Sequence, residues 1–409
     1  MHYSYKIQKN YILKFEAMNK TIIFFCALII SLVFTKASAT VYKCYYVNTS
    51  GGSTASGLSK ESACSDLQKI FTDIVCGDTI KICTGNYTTP SSGSCFQIID
   101  KWIQTSFTTN VVILGGWNST YTTRDPKLYP VSIKPYTTNT THRLLYIYRS
   151  NIIIDGITFQ KATSTVDPGA AICNYSLDGS FNMIVKNCTF KDNNNTGRGG
   201  AISLNSLNGT YYAATNILYN CTFDGNKGDL GGAVYGNGTD TRYINCTFIN
   251  NTAISEGGAI YHYEGGTDYI MSCTIVGNKG GAVASANSYI YNSIVAGNTK
   301  NINYSPSYAD LYWGATDWGY NIFGYGGVNG RAGASLQPSS KYVNKQDLYD
   351  LLDSVPGTYA IDVPFQGRLA YNGGYTQTIK LKKTKCKGFD GVDFSVDNHP
   401  YNIPLPTAY

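Results

Sequence analysis

Charge is scarce in this chain. Charged side chains make up 14% of its 409 residues, against roughly 25% in an ordinary globular protein. That leaves little material for charged helix faces. Histidine occurs only four times, at 2, 142, 262 and 399, and no pair of cysteines has zinc-ligand spacing. Both facts argue against a metal centre. There is no Asp-Asp pair and no Gly-His-Gly, so two signatures of polysaccharide cleavage are missing. After residue 39 no apolar run is long enough to cross a bilayer, so no transmembrane segment is expected there. The net charge of +6 belongs mostly to residues 1–39, which hold five lysines and one glutamate; the +2 that remains is no electrostatic footprint for nucleic acid.

Glycine and tyrosine are abundant, at 42 and 35 residues. With Asn and Thr they predict many short strands and tight turns rather than helices. Met18-Asn19-Lys20, the apolar run Thr21 to Phe34 and Ala37-Ser38-Ala39 together read as a signal peptide cut after Ala39, with Met18 as the true start. The chain is therefore expected to be secreted. Eleven cysteines follow residue 39, and five of them crowd the amino end: Cys44, Cys64, Cys76, Cys83 and Cys95. Export permits disulfides, and the odd total leaves at least one thiol unpaired within the chain.

The middle of the chain repeats itself. One strand pattern recurs as Cys188-Thr189-Phe190, Cys221-Thr222-Phe223, Cys246-Thr247-Phe248, Cys273-Thr274-Ile275 and Ser293-Ile294-Val295, with Gly156-Ile157-Thr158-Phe159 as a weaker copy. A second signature, Gly-Gly-Ala followed by Ile or Val, starts at 199, 231, 257 and 280. The cysteines are 33, 25 and 27 residues apart, then 20 to Ser293. Such a period marks a solenoid. Each unit holds short β runs and no helical stripe, so the expected fold is all-β: a right-handed parallel β-helix of roughly ten coils, at ~25 residues each.

Alternation places Cys and Phe on the inner face and Thr on the outer one. By the same parity Ile217, Tyr219 and Ile244 are expected inside. Asn187, Asn220 and Asn245 precede the cysteines and are expected to form an amide ladder at a bend. Ahead of the repeats, Ser65-Asp66-Leu67-Gln68 reads as a capping box for an N-terminal capping helix with an apolar stripe of Leu67, Ile70, Phe71 and Ile74. Asp347, Leu348, Leu351 and Leu352 mark one more short helix. The expected organisation is a signal region at 1–39, a cap at 40–78, the β-helix at 79–326 and an irregular region at 327–409.

These residues resemble a known family. Phe190…Asn193, Phe223…Asn226, Phe248…Asn251 and Ile275…Asn278, each paired with a Gly-Gly-Ala copy, are similar to the repeats of the chlamydial polymorphic membrane proteins and related β-helix surface proteins. Leu369–Thr378 resembles a choice-of-anchor region of secreted bacterial β-helix proteins. The resemblance does not extend to a membrane-embedded barrel, and the mode of anchoring stays open. It implies a cell-surface protein, associated with the outer membrane in that family. The expected role is a non-catalytic adhesin or binding scaffold whose partners are surface glycans or proteins of a host or cell surface.

The alternative is a polysaccharide lyase or glycoside hydrolase built on the same fold. The most enzyme-like cluster is His262 in Tyr261-His262-Tyr263-Glu264, with Arg198 and Arg242 as candidate partners. The plainer reading makes His262 a solvated turn residue, and no catalytic, cofactor-binding or metal-binding residue is assigned. The cysteine column is read as buried and inert. Tyr211, Tyr212, Tyr261, Tyr263, Tyr269, Tyr289 and Tyr291 are expected near coil edges, where aromatic rings stack on sugars or make protein contacts. Thirteen N-x-S/T triplets follow residue 39, several of them only because Asn-Cys-Thr repeats. They are read as turns and ladders rather than glycosylation sites.

Overall fold

The computed structural model describes residues 41–382 except 92–93, 102–109, 138–141, 166–167, 177–180, 207–214, 301–309, 325–336, 338, 344, 356–363 and 373. The expected signal region and the chain from 383 onward lie outside the described residues. The repeats build a parallel β-helix with three long stacks of strands and a short four-stranded sheet, Thr163–Ser164, Asn194–Asn195, Lys227–Leu230 and Thr252–Glu256. The first runs through Thr79–Cys83, Ile152–Asp155, Met183–Lys186, Thr215–Tyr219, Asp240–Ile244 and Asp268–Met271. The second has ten strands, from Gly85–Thr88 through Thr222–Asp224 to Lys341–Val343. The third stacks Phe96–Ile99, Leu145–Tyr148, Ile172–Ser176, Ile202–Ser206, Val234–Asn237 and Ile260–His262. Val283–Tyr291 is one long strand that bridges the third and first sheets.

Equal register from coil to coil turns each repeat position into a column. Phe159, Phe190, Phe223 and Phe248 pair in sequence, and their rings stack at 5.3, 4.8 and 4.5 Å between centroids. These spacings follow the distance between neighbouring strands. Burying each ring contributes about 1.5–3 kcal/mol. Cys188, Cys221, Cys246 and Cys273 form the neighbouring column as free thiols, 0–2% exposed. Each Sγ donates to the carbonyl two residues before it, as Cys221 does to Tyr219 at 3.4 Å. Burial pushes the Cys188 thiol up to about 12, so it stays protonated and unreactive.

The bend before each cysteine is an amide ladder, as expected. Asn187, Asn220 and Asn245 have φ of 54°, 53° and 51°, a left-handed conformation that Asn tolerates better than most residues. Asn220 donates to Asn187 at 3.3 Å, Asn245 donates to Asn220, and Asn187 donates to Asp155 at 2.9 Å. That left-handed residue corrects the parity expected upstream. Alternation does not pass through it, so Asn216 and Leu218 are buried while Ile217 and Tyr219 turn outward. Ile244 shares the outward column with Tyr219 and pairs with it, although it is largely covered.

A second ladder lies inside the turn that leaves the second sheet. Asn193, Asn226, Asn251, Asn278 and Asn298 are all buried. Each Nδ2 donates to the next coil's Oδ1 at 2.9 Å and also to a carbonyl of the preceding coil. The last, Asn298, donates to Asp310 at 2.8 Å. The Gly-Gly-Ala signature has a steric reason. The first glycine has positive φ, 70° at Gly199, and a Cβ on Gly200 would lie 2.0 Å from the Gly232 carbonyl oxygen of the next coil.

The capping helix α1 is Leu67–Asp73. Leu67, Ile70, Phe71 and Ile74 join the solenoid core, and Phe71 meets Phe96 edge-on at 5.7 Å. The cap residue is Asp66 rather than Ser65: its carboxylate accepts from the Lys69 amide at 3.0 Å. Gln68 therefore does not close a capping box. Its side-chain amide instead pairs with the Gln97 backbone at both ends, at 3.2 and 2.8 Å. Helix α2, Lys345–Leu351, forms where the leucines indicated. Leu348, Leu352, Phe365 and Ile379 pack on the outward face of the second sheet against Ile249, Val276 and Ile294. Thr376 fastens this return of the chain by donating to the Asn220 carbonyl at 2.9 Å.

Candidate functional site

The column principle also orders the outside of the solenoid. On the first sheet Ile217, Arg242, Tyr269 and Tyr289 occupy one outward column in register. Tyr269 and Tyr289 stack at 5.7 Å, and Tyr289 stacks on Trp318 at 4.3 Å. The Arg242 guanidinium lies 5.9 Å above the Tyr269 ring, within cation–π range. Beside this strip, Tyr291 and Tyr320 meet edge to face at 5.8 Å. These rings are half-buried, apart from Tyr320, which is exposed. Burial, with Asp240 adding to it, raises the Tyr269 hydroxyl above its ordinary value; burial and Tyr320 do the same for Tyr291. Both rings stay neutral across the physiological range. The result is a strip of stacked aromatic rings with a cation at one end and phenol hydroxyls along it.

The third sheet carries a comparable stack of Tyr235 on Tyr261 at 5.8 Å, with the Arg198 guanidinium 5.2 Å from the Tyr235 ring. Both tyrosines are buried there among Leu230, Ala284 and Tyr312. The expectation that Tyr261 is a coil-edge contact is thus corrected: stacking with its copies covers it. Tyr263 is exposed, at 47%. Tyr211 and Tyr212 lie outside the described residues. Trp318 and Tyr320 were not foreseen, because they follow a coil that lacks the Cys-Thr-Phe signature. Their column positions become visible only through the pairing of Leu311–Asp317 with the long bridging strand.

His262 is not a solvated turn residue. It ends the strand Ile260–His262 with its side chain inside the solenoid, 1% exposed, and its Nδ1 lies 2.9 Å from Asp268 Oδ1. Burial alone would lower its pKa, but the charge and hydrogen bond of Asp268 outweigh this and raise it. Arg198 and Arg242 are engaged on outward tyrosines and do not form this pair. A His–Asp pair is the orienting half of many acid–base centres. Here it is sealed in the interior, where a polymeric substrate has no access to the imidazole. Among the described residues, no group of three or more His, Cys, Asp or Glu is placed to hold a metal ion. No helix among them is long and apolar enough to cross a membrane.

A family model described as the Chlamydia polymorphic membrane protein repeat matches residues 245–263. This stretch contains Asn245-Cys246-Thr247-Phe248, the ladder residue Asn251 and Gly257-Gly258-Ala259-Ile260, so the match lies within one coil of this solenoid. No curated protein matches the chain. Among solved structures, one titled "Crystal structure of pectate lyase Pel9A" aligns at 13% identity, over 75% of this chain and 80% of that one, with a TM-score of 0.37.

Proposed function

We propose that this chain, a parallel β-helix with polymorphic-membrane-protein-type repeats, is an exported, non-catalytic binding scaffold at a cell surface. In this reading it acts as an adhesin whose partners are surface glycans or surface proteins. The observation that carries the proposal is the strip of Arg242, Tyr269, Tyr289 and Trp318 on the outer face of the first sheet. Stacked rings at the surface offer aromatic edges and hydroxyls to sugars or to the aromatic and aliphatic anchors of a protein. The interior supports the same reading, since its most reactive residue types are buried and engaged. In such a scaffold the ladders supply rigidity, and specificity lies in the outward positions that differ between coils.

The test is a panel of immobilised glycans and cell-surface extracts probed with the full chain, recording both binding and cleavage. Binding without cleavage is expected, and Tyr269→Ala/Tyr289→Ala should weaken it about tenfold or more, as loss of two anchoring rings does. Turnover of a polysaccharide by the native chain would replace the proposal with the lyase or hydrolase alternative.

A further inference from the structure

The solenoid begins at three sheet edges, and the chain treats them differently. The first sheet starts with Cys44–Gly52, whose outer side is covered. Its Tyr46 amide donates to the Gly57 carbonyl at 2.7 Å, and Cys64 bridges to Val47 and Gly52. The third sheet starts with Phe96–Ile99, where the Gln68 side chain occupies both backbone positions of Gln97. The second starts with Gly85–Thr88. Gly85 and Thr89 donate to the carbonyls of Pro130 and Lys134 at 3.0 and 3.1 Å, so positions 85, 87 and 89 face the next coil. Alternation then turns the N–H and C=O groups of Asn86 and Thr88 the other way. Both residues are exposed, and among the described residues no strand pairs with this side of them. Natural sheets usually cover such an edge.

An open cleft of about 560 Å³ runs beside it. Asn86 and Thr88 line one side, and Leu67 at the start of α1 lines the other, with Phe96 and the exposed Tyr136. Gly85 and Tyr87 are in register with Val131 and Ile133, and Ile133 leads on to Phe159 and Phe190. A strand that extends this sheet by one coil is therefore apolar at alternate positions and polar between them. Val131-Ser132-Ile133 has that pattern already.

We propose that this edge receives a strand from a second copy of the chain, residues 391–397. That stretch reads Gly391-Val392-Asp393-Phe394-Ser395-Val396-Asp397, a period-two alternation with turn residues at both ends, within the part of the chain that follows the last described residue. Val392 and Phe394 take the places next to Gly85 and Tyr87, and Asp393 and Ser395 lie beside Asn86 and Thr88. Main-chain hydrogen bonds to Asn86 and Thr88 supply affinity, and the alternate side chains supply register. Within one chain the reach is too short. Lys382 is held on α2 by its amide bond to the Leu351 carbonyl, and Leu352 packs with Val276 and Ile294 of the seventh and eighth strands of the same sheet. The position beyond Gly85–Thr88 is then about seven strand spacings away, roughly 34 Å along the axis. The link from Lys382 to Val392 spans at most about 35 Å when pulled straight, which leaves nothing for the step off its own sheet face. A second copy has no such limit.

The experiment is sedimentation of the full chain from roughly 1 to 100 µM, the range of weak specific contacts. The average mass is expected to rise above that of a monomer as concentration increases. Thr88→Pro deletes one outward N–H and leaves positions 85, 87 and 89 to pair with the next coil, a place where an edge strand tolerates proline. It should weaken association at least about tenfold, while Thr88→Val, which keeps the N–H, should associate like the parent. Phe394→Asp changes only the donor and should weaken association to a similar extent. A labelled peptide of residues 389–398 should bind the full-length Phe394→Asp chain and not the Phe394→Asp/Thr88→Pro chain. A parent chain that stays monomeric throughout overturns the proposal, whether or not the peptide binds. Undiminished association of Thr88→Pro or of Phe394→Asp overturns it as well. If Thr88→Pro does not fold, Phe394→Asp and the peptide decide, and a peptide that fails to bind counts against the proposal.

Discussion

Two parts of the same interior solve the problem of buried polar groups in different ways. In the turn that leaves the second sheet, Asn193, Asn226, Asn251, Asn278 and Asn298 repeat at one position. The three inner amides each donate to one copy and accept from another, while Asn193 accepts from the Ala162 backbone and Asn298 donates to Asp310, so the column satisfies itself with protein partners. Where the third sheet returns to the first, the buried residues do not repeat: Thr241, Tyr243, His262, Asp268 and Ser288. His262 and Asp268 pair, yet Asp268 Oδ2 and Ser288 Oγ have no protein partner within hydrogen-bond distance. Such a group of polar atoms is where buried water finds its partners. The contrast follows from connection length. The link from third to first sheet spans 238–239 in one coil and 263–267 in the next, and vanishes in Val283–Tyr291. A region whose length changes cannot stack identical side chains.

The comparison predicts unequal costs for similar deletions. The largest effect is expected in the dry ladder. Asn251→Ala removes the acceptor of the Asn226 amide groups and the donor to the Phe223 carbonyl. Leaving these buried groups unsatisfied should cost about 3–5 kcal/mol, read as a drop in urea midpoint. His262→Ala strips Asp268 of its partner but opens space beside atoms that water can serve. Its cost should be smaller, about 2–4 kcal/mol. A larger loss for His262→Ala than for Asn251→Ala would break the distinction between a self-satisfied ladder and a hydrated corner.

The smallest and most specific effect concerns pH, at the place where the ladder ends. Burial pushes the Asp310 carboxyl up to about 7, with the hydrogen bonds from Asn298 pulling it partly back. The unfolded carboxyl titrates near its ordinary value of about 4. Between these values the folded chain holds a proton that the unfolded chain has lost. The stability tied to Asp310 is therefore complete below about pH 4 and is lost as pH rises through about 7. His262, also raised, contributes in the same direction above its ordinary value of about 6.5. The melting temperature should fall from pH 5 to pH 8. Asp310→Asn keeps an acceptor for Asn298 and extends the ladder by one amide, so its profile should be shallower and its stability at pH 8 no lower than that of the parent. An unchanged slope would show that the ladder's end does not titrate in this range.

Particular residues mark how far reading the chain alone carries. The cysteine and phenylalanine columns, the Asn187–Asn220–Asn245 bend, the apolar stripe of α1 and the leucines of α2 were all legible, because each depends on spacing along a short segment. The role of Asn251 was hidden in plain view: it stood in the repeat signature, but nothing local distinguishes an inward amide from one in a solvated turn. Ile217 and Tyr219 were placed on the wrong face because a single left-handed residue, Asn220, interrupts the alternation. His262 was misread because its partner, Asp268, belongs to the next strand and meets it across the interior.

From its own repeats the chain dictates a solenoid, its approximate period and the identity of its inner Phe and Cys columns, since equal residues at near-equal spacing bury their apolar faces only by stacking. Folding in three dimensions decides the rest. It determines which residues face outward after each bend, which aromatic rings of different coils become one strip, and which buried ions find each other. Those outcomes depend on the turn angle at a bend and on contacts between coils, neither of which is encoded in the order of neighbouring residues.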